Sequence, residues 1–345
     1  MPQKAARLEV DGDRFSVLPD AILQHVLSFL PAQDAVRTCI LARLWRHLWK
    51  LTTGLRLWYD AKARTSVQKF QLFVDHLMLL RGRAPLETCH IRFYSYFNQV
   101  DKVRLNLWIR HAVMCQIQML RLDFMRYFRM PTAFDTHRDS FDLDDLPFVS
   151  RHLTRLELCN VNLGNRFVNF SSCPSLEHLS IEQCYLCYAK EMSSGSLKSL
   201  SIRHCCFNNN TRIQFPSLVS LHMDARLYII PVLERMPLLK EAFIRDTVLG
   251  DMYDEEGCFC CSFKANDNKF SLLDGLSEAK NLALISESDT FVFRCDSKQF
   301  PTFSKLKTLL LNDQWCVAPD FHALTCILKH SPVLENLTLQ LFPKT

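Results

Sequence analysis

LEHLSIEQCYL, residues 176–186, and LKSLSIRHCCF, residues 197–207, are one pattern written twice. Large aliphatics stand at positions one, four and six, a cysteine at position nine, and polar residues at five and seven. Apolar and polar residues alternate through the middle, which reads as a strand with one buried face. The pattern spreads in both directions. LTRLELCNVNL begins at Leu153, LVSLHMDARLY at Leu218 and LKEAFIRDTVL at Leu239. The starts at 176, 197, 218 and 239 lie 21 residues apart, and the gap before them is 23. Weaker copies begin at Leu86 (LETCHIRFYSY), Ile117 (IQMLRLDFMRY), Leu306 (LKTLLLNDQWC) and Leu334 (LENLTLQLF). Proline falls two residues before the first leucine at Pro174, Pro216, Pro237 and Pro332. A proline there limits helix and starts an extended segment.

This phase is that of the leucine-rich repeat, one strand per repeat, each burying its leucines against its neighbours. The irregular spacing predicts a lopsided arc. The segments read as regular repeats over 153–249, C-terminal repeats over 282–345, and degenerate repeats in a linking region over 61–130. Two stretches break the period: an acidic insertion at 131–152 and the cysteine-bearing stretch 250–281. Cys184-x-x-Cys187 and Cys205-Cys206 raise zinc, which four thiolates would bind tetrahedrally. Cys184 and Cys205 both fall at position nine, where a small buried residue belongs, so packing is expected and no metal. Cys258, Cys260 and Cys261 sit outside the repeat and read as thiols of a surface loop.

The N-terminal part has a different period. LPDAILQHVLSFLP, residues 18–31, wound as a helix, places Leu18, Ile22, Leu23, Val26, Leu27 and Leu30 on one broad stripe. Pro19 suits a first helical turn and Asp20 suits the positive end of its dipole. AVRTCILARLWRHLW, residues 35–49, repeats the helical period, with a break expected near 39–42. A unit of this size buries little of its own surface and needs a neighbour.

DRFSVLPDAILQHVLSFLPAQDAVRTCILARLWRHLW, residues 13–49, resembles a plant F-box, and with the repeats the chain resembles the plant F-box/leucine-rich-repeat proteins, often those with an FBD region. Leu44 departs from that pattern: Ala42-Arg43-Leu44-Trp45 stands where Ser-Lys-Arg-Trp is usual. The resemblance implies a three-helix F-box over 14–60 that docks on the small Skp-type adaptor of an SCF ubiquitin ligase, and through it on a cullin. By position the docking face would include Leu18, Pro19, Ile22, Leu23, Val26, Leu27, Leu30, Val36, Leu41 and Trp45. The fold class expected is α+β and multi-domain: a flexible start at 1–13, the F-box, then an irregular α/β leucine-rich-repeat solenoid whose FBD-like end is truncated at Thr345.

Composition limits the other classes. Eight glycines leave no GxGxxG or P-loop, and no GxSxG or HExxH occurs. No Ser/His/Asp or Cys/His set stands out, so no catalytic residue and no cofactor are expected. The N-terminus has no apolar run of the kind a secretion signal needs, and no stretch reaches the ~18 apolar residues of a membrane span. A soluble chain of the cytoplasm or nucleus, with its 15 cysteines reduced, is the expectation. Residues 61–130 hold twelve Lys or Arg against four Asp or Glu. There Arg81, Arg83, Arg92, Lys102, Arg104 and Arg110 interleave with Phe93, Tyr94, Tyr96, Phe97 and Trp108. That mixture suits phosphate contacts and stacking, but no nucleic-acid-binding fold signature accompanies it, and no nucleic-acid partner is expected.

Recognition is placed instead on the exposed strand positions three, five and seven. They form the columns Arg155, His178, Ser199, Ser220, Glu241; then Glu157, Ser180, Ser201, His222, Phe243; then Cys159, Glu182, Arg203, Asp224, Arg245. The residues singled out for target binding are Arg155, Glu157, His178, Glu182, Arg203, His222, Asp224, Phe243 and Arg245. A polar surface of mixed charge suits a protein or peptide better than an apolar metabolite. The function expected is a non-catalytic, substrate-recruiting subunit whose partner enzymes transfer ubiquitin. The alternatives are a scaffold without ubiquitin, or a receptor of the same architecture whose ligand completes the target surface.

Overall fold

A computed structural model describes residues 18–62, 66–95, 99–126, 141–143, 148–164, 166–186, 189–207, 211–226, 231–247, 272–287, 293, 300–316 and 321–341. The start at 1–13, most of the acidic stretch 131–152, residues 250–271 with Cys258, Cys260 and Cys261, and also Tyr96, Phe97 and Cys187, lie outside them.

One parallel path of strands organises the molecule. In order these are β1 (Gly54–Asp60), β2 (Thr88–Ser95), β3 (Met119–Arg126), β4 (Arg155–Cys159), β5 (His178–Glu182), β6 (Ser199–Phe207), β7 (Ser220–Arg226), β8 (Glu241–Asp246), β9 (Asn281–Ser286), β10 (Thr308–Asn312) and β11 (Asn336–Gln340). Each pairs with the next without a crossover. The register stacks position four of every repeat in one row, Leu55, Cys89, Leu120, Leu156, Leu179, Leu200, and onward through Leu221 and Ala242 to Leu337. Position six makes a second row beside it, from Leu57 to Leu339. Both rows belong to one continuous core, except at β11, where the outer edge leaves Leu337 and Leu339 partly exposed.

The phased prolines act through turns. Leu176, Leu218, Leu239 and Leu334 each donate their backbone N–H to the carbonyl three residues back, at Cys173, Phe215, Met236 and Ser331. Proline therefore occupies the second turn position, where its fixed φ is already correct. Position eight is left-handed in three successive repeats: Asn160, Gln183 and His204 have φ of 55°, 51° and 51°. This bend lets the next residue turn inward. There the Cys184 thiol accepts from the Val161 N–H at 3.4 Å, and the Cys205 thiol accepts from the Cys184 N–H at 3.4 Å. Both thiols also point at backbone carbonyls, of Leu158 and Ile181. Position nine is thus a backbone-satisfying cysteine ladder.

Helix and strand share the return segments unevenly. The long first two repeats hold α3 (Val67–Arg81) and α4 (Gln99–Met114), while α5 (His322–Lys329) precedes β11. Repeats of 21 residues leave no room for a helix, and their returns form short parallel strands at Glu191–Ser193, Arg212–Gln214 and Val232–Leu233. Helix α3 begins at Ser66, whose hydroxyl accepts from the Lys69 N–H. Its Phe70 meets Tyr59, Phe93 and Trp108 in one aromatic cluster.

The N-terminal module differs from the expected three helices. It has α1 (Asp20–Ser28) and α2 (Ala32–Arg37), then 3₁₀ turns at Thr38–Ile40, Arg43–Arg46 and Leu48–Leu51. Residues 54–60, read from sequence with the helical unit, are strand β1. The cause is visible in LRLWYD: Leu55, Leu57 and Tyr59 are buried and alternate with Arg56, Trp58 and Asp60.

Candidate interaction surfaces

The stripe of the first helix divides in two. Leu23 and Leu27 are fully buried in the chain's own core, and Trp45 joins them there. Leu30 and Val36 pack partly against the same core. The reading that places Leu23, Leu27 and Trp45 on a docking face is corrected: they are already covered, by the sheet and by each other. They hold the module together. What faces outward is Leu18, Pro19, Ile22 and Val26, with Ile22 and Val26 one turn apart and each about half exposed (49% and 48%). Leu41 is exposed, as is Leu44, the residue that departs from the F-box pattern; Phe29 and Ile40 are exposed too and were not among the docking residues read from sequence. Ile40 and Leu41 stand out because the helix gives way to 3₁₀ turns there, a change that side-chain periodicity does not announce. Large apolar side chains grouped on the outside of a small module mark an interaction surface.

The module is fixed to the sheet at two points. Gly54 lets α1 approach β1 so closely that an added Cβ would lie 2.8 Å from both the Cβ and the carbonyl oxygen of Ser28. Arg81 at the end of α3 is buried and donates to the carbonyls of Trp49 (2.7 Å) and Thr52 (2.8 Å) and to the Thr52 hydroxyl (2.8 Å). Burial lowers its pKa. Carbonyls at the end of a 3₁₀ turn carry partial negative charge and suit a guanidinium.

The second surface is the exposed face of the sheet. The three columns read from positions three, five and seven are neighbours in the observed register. Arg155 and Arg121 share Glu157, at 2.7 and 3.2 Å. Arg245 holds Glu287 at 2.5 Å and lies 3.9 Å from Asp224. His222 stacks on Phe243, ring centroids 4.6 Å apart and nearly coplanar. Beside this pair is a concavity of about 440 Å³ bordered by Glu241, Asn281, Thr308 and Leu310. His178, Glu182 and Arg203 lie along the same columns.

The basic and aromatic residues of 61–130 do not converge. Arg81 is the buried clamp, Phe93 and Trp108 are core, and Arg104 pairs with Asp75 on the helical side at 3.0 Å. Among the described residues, Arg92, Tyr94 and Arg121 face out with the sheet columns, the first two gripping Asp123 at 3.3 and 3.1 Å. Burial, and then the contact with Asp123, push the Tyr94 hydroxyl up to about 12.

Fold and surfaces together give a two-part chain: a small helical module with an outward apolar helix face, fused to a parallel sheet of leucine repeats with a polar exposed face. The F-box domain pattern matches residues 15–53, ending where β1 begins. An F-box/LRR-repeat protein of Arabidopsis thaliana is 29% identical over 368 residues, which cover 95% of this chain and 92% of that protein. The rice MEIOTIC F-BOX protein MOF (Oryza sativa subsp. japonica) is 29% identical over 359 residues, 95% of this chain and 71% of its own length. An FBD-associated F-box protein of Arabidopsis is 25% identical over 385 residues, 97% and 78%. A second Arabidopsis F-box/LRR-repeat protein is longer, and the chain spans 54% of it. The chain thus carries an F-box domain and is similar along 95% or more of its length to plant F-box/leucine-rich-repeat proteins.

Proposed function

We propose that the chain is a substrate-recruiting subunit of an SCF-type ubiquitin ligase. Its F-box docks on a Skp-type adaptor, and through that on a cullin. The exposed face of a leucine-rich-repeat solenoid holds a protein target. The chain supplies no chemistry of its own; it raises the effective concentration of target beside the ubiquitin-carrying enzyme. The observation that carries this reading is the outward apolar strip Leu18, Ile22 and Val26 on a matched F-box, supported from beneath by Leu23 and Leu27. Cytoplasm and nucleus, where such ligases work, are the proposed compartments.

The test is capture of the full chain by a Skp-type adaptor. Ile22→Asp with Val26→Asp places charge in an apolar contact and abolishes capture while the circular dichroism spectrum and Tm stay unchanged. Leu23→Asp loses the fold itself. Undiminished capture by the folded double variant refutes the docking face.

A further inference from the structure

The exposed face of β1–β3 was not among the positions singled out for target binding, and it has its own chemistry. Trp58 lies between two guanidinium groups, with Arg92 5.1 Å and Arg56 5.9 Å from its ring. Arg56 also covers Phe29 at 5.6 Å, and Arg92 covers Tyr94 at 5.7 Å. A guanidinium stacked on an aromatic ring keeps its in-plane N–H edge free for a carboxylate. The register sets Arg56, His90 and Arg121 side by side in one row.

Charge on this face is not closed. Among the described residues, Arg56, Arg92, Arg121 and Arg155 stand against Asp60, Asp123 and Glu157, a surplus of one positive charge. Each internal ion pair there uses a shared carboxylate: Asp123 serves Arg92 and Tyr94, and Glu157 serves Arg121 and Arg155. Among the described residues, Arg56 has no carboxylate at ion-pair distance. Two further polar atoms are removed from solvent with no hydrogen-bond partner among the described residues, the indole N–H of Trp58 and Nε2 of His90.

We infer that this face docks an acidic peptide segment of a partner protein, an aspartate or glutamate side chain pairing with Arg56. The carboxylate is the group these arginines already grip within the chain. A surplus of one charge matches a monoanion better than a phosphate dianion. A nucleic-acid strand running on along the sheet would meet Glu157, Glu182, Asp224 and Glu241 in the following columns, whereas a peptide of mixed charge would meet Arg203 and Arg245 as well. The inference rests on the reading of the sheet as the target-holding part.

The experiment uses the full chain and a fluorescein-labelled dodecapeptide of alternating Glu and Ala, read by anisotropy. Arg56→Gln weakens binding about tenfold or more, the Gln–Ala peptide fails to bind, and raising salt toward about 0.2 M weakens the complex. Lys307→Gln, at the far end of the sheet, leaves binding unchanged. Equal binding to the parent and Arg56→Gln, or to the Glu and Gln peptides, overturns the inference. So does tighter binding of a phosphoserine peptide or of an oligothymidylate lost in the same variant, which would make the site one for phosphate or for nucleic acid. Adaptor capture is measured on the same samples. Its failure refutes the F-box reading and leaves the peptide result standing, whereas intact capture without peptide binding refutes only this site.

Discussion

His90 shows how a single residue on the exposed face couples to its surroundings. Its ring lies edge-on to Trp58 and next to Arg56 and Arg121 in the row. Burial lowers its pKa most, followed by Arg121 and Arg92; Asp123 opposes them and Arg56 adds a little, and the result is about 4 against an ordinary 6.5. The folded-state value lies below the unfolded one, so on acidification the unfolded chain takes up the proton first. The neutral His90 therefore contributes nothing to pH dependence above about pH 6.5, and stability falls as pH drops from there toward 4. His111 and His222 are shifted the same way by burial, so the slope is a sum. Urea unfolding of the parent and His90→Gln isolates the part due to His90: the variant loses less stability than the parent between pH 6.5 and 4. Parallel profiles through that window would refute the assignment. None of this was legible in the sequence, because strand β1 and the neighbours of His90 come from three different repeats. The left-handed Asn160, Gln183 and His204 were hidden for a simpler reason: none is glycine, and tertiary pairing imposes the bend.

At the scale of elements, the leucine phase was readable where its first position holds leucine or isoleucine. Two strands escaped notice, β1 and β9, and in each that position is occupied by something smaller: Thr52 before Leu55 and Leu57, Ala279 before Leu282 and Leu284. The residues at position one remain buried, so the geometry persists where the letter pattern fails. Helices α3 and α4 were equally invisible as helices. Apolar residues lie on both sides of α4, where Leu105 and Trp108 are buried while Val103, Leu107 and Met114 are exposed, and the helical period blurs. The apolar stripe of α1 was legible, but which half of it faces in was not, because that depends on the contact with β1. Gly54 tests that contact. Ala at this position drives a methyl group into the backbone of Ser28 and must displace α1, costing about 1–3 kcal/mol by analogy with overpacked cores. Gly195→Ala is the control, since nothing lies within 4 Å of the added carbon there. Thermal denaturation should show a lowered Tm for Gly54→Ala alone. A Tm equal to that of Gly195→Ala would mean that α1 and β1 are not held at this distance.

Across the whole molecule, the question is whether the F-box and the sheet behave as one body. An apolar module of this size is marginal alone, and here its buried leucines and tryptophans run into the same core as the first strands. A shared core gives adhesion without direction; direction comes from Arg81. Its three hydrogen bonds reach from α3 to the last turn of the F-box, and the receiving carbonyls have no other cation beside them among the described contacts. A guanidinium is needed because one group must meet the carbonyls of Trp49 and Thr52 and a hydroxyl together, and the fork geometry does this where an ammonium meets one or two. Arg81→Met keeps the volume and removes all three bonds; the Trp49 carbonyl keeps the Thr52 hydroxyl at 3.0 Å, but the Thr52 carbonyl loses its guanidinium donor, at a cost of about 1–3 kcal/mol. The loss falls at the joint between the parts, so unfolding loses its unity. Hydrogen-exchange protection of peptides from residues 18–53 should then be lost at lower denaturant than protection of the strand peptides, while in the parent the two curves coincide. Arg81→Lys should fall between them. Coincident curves for Arg81→Met at the parental midpoint would show that the common core alone joins the two parts and that the buried arginine is dispensable to it.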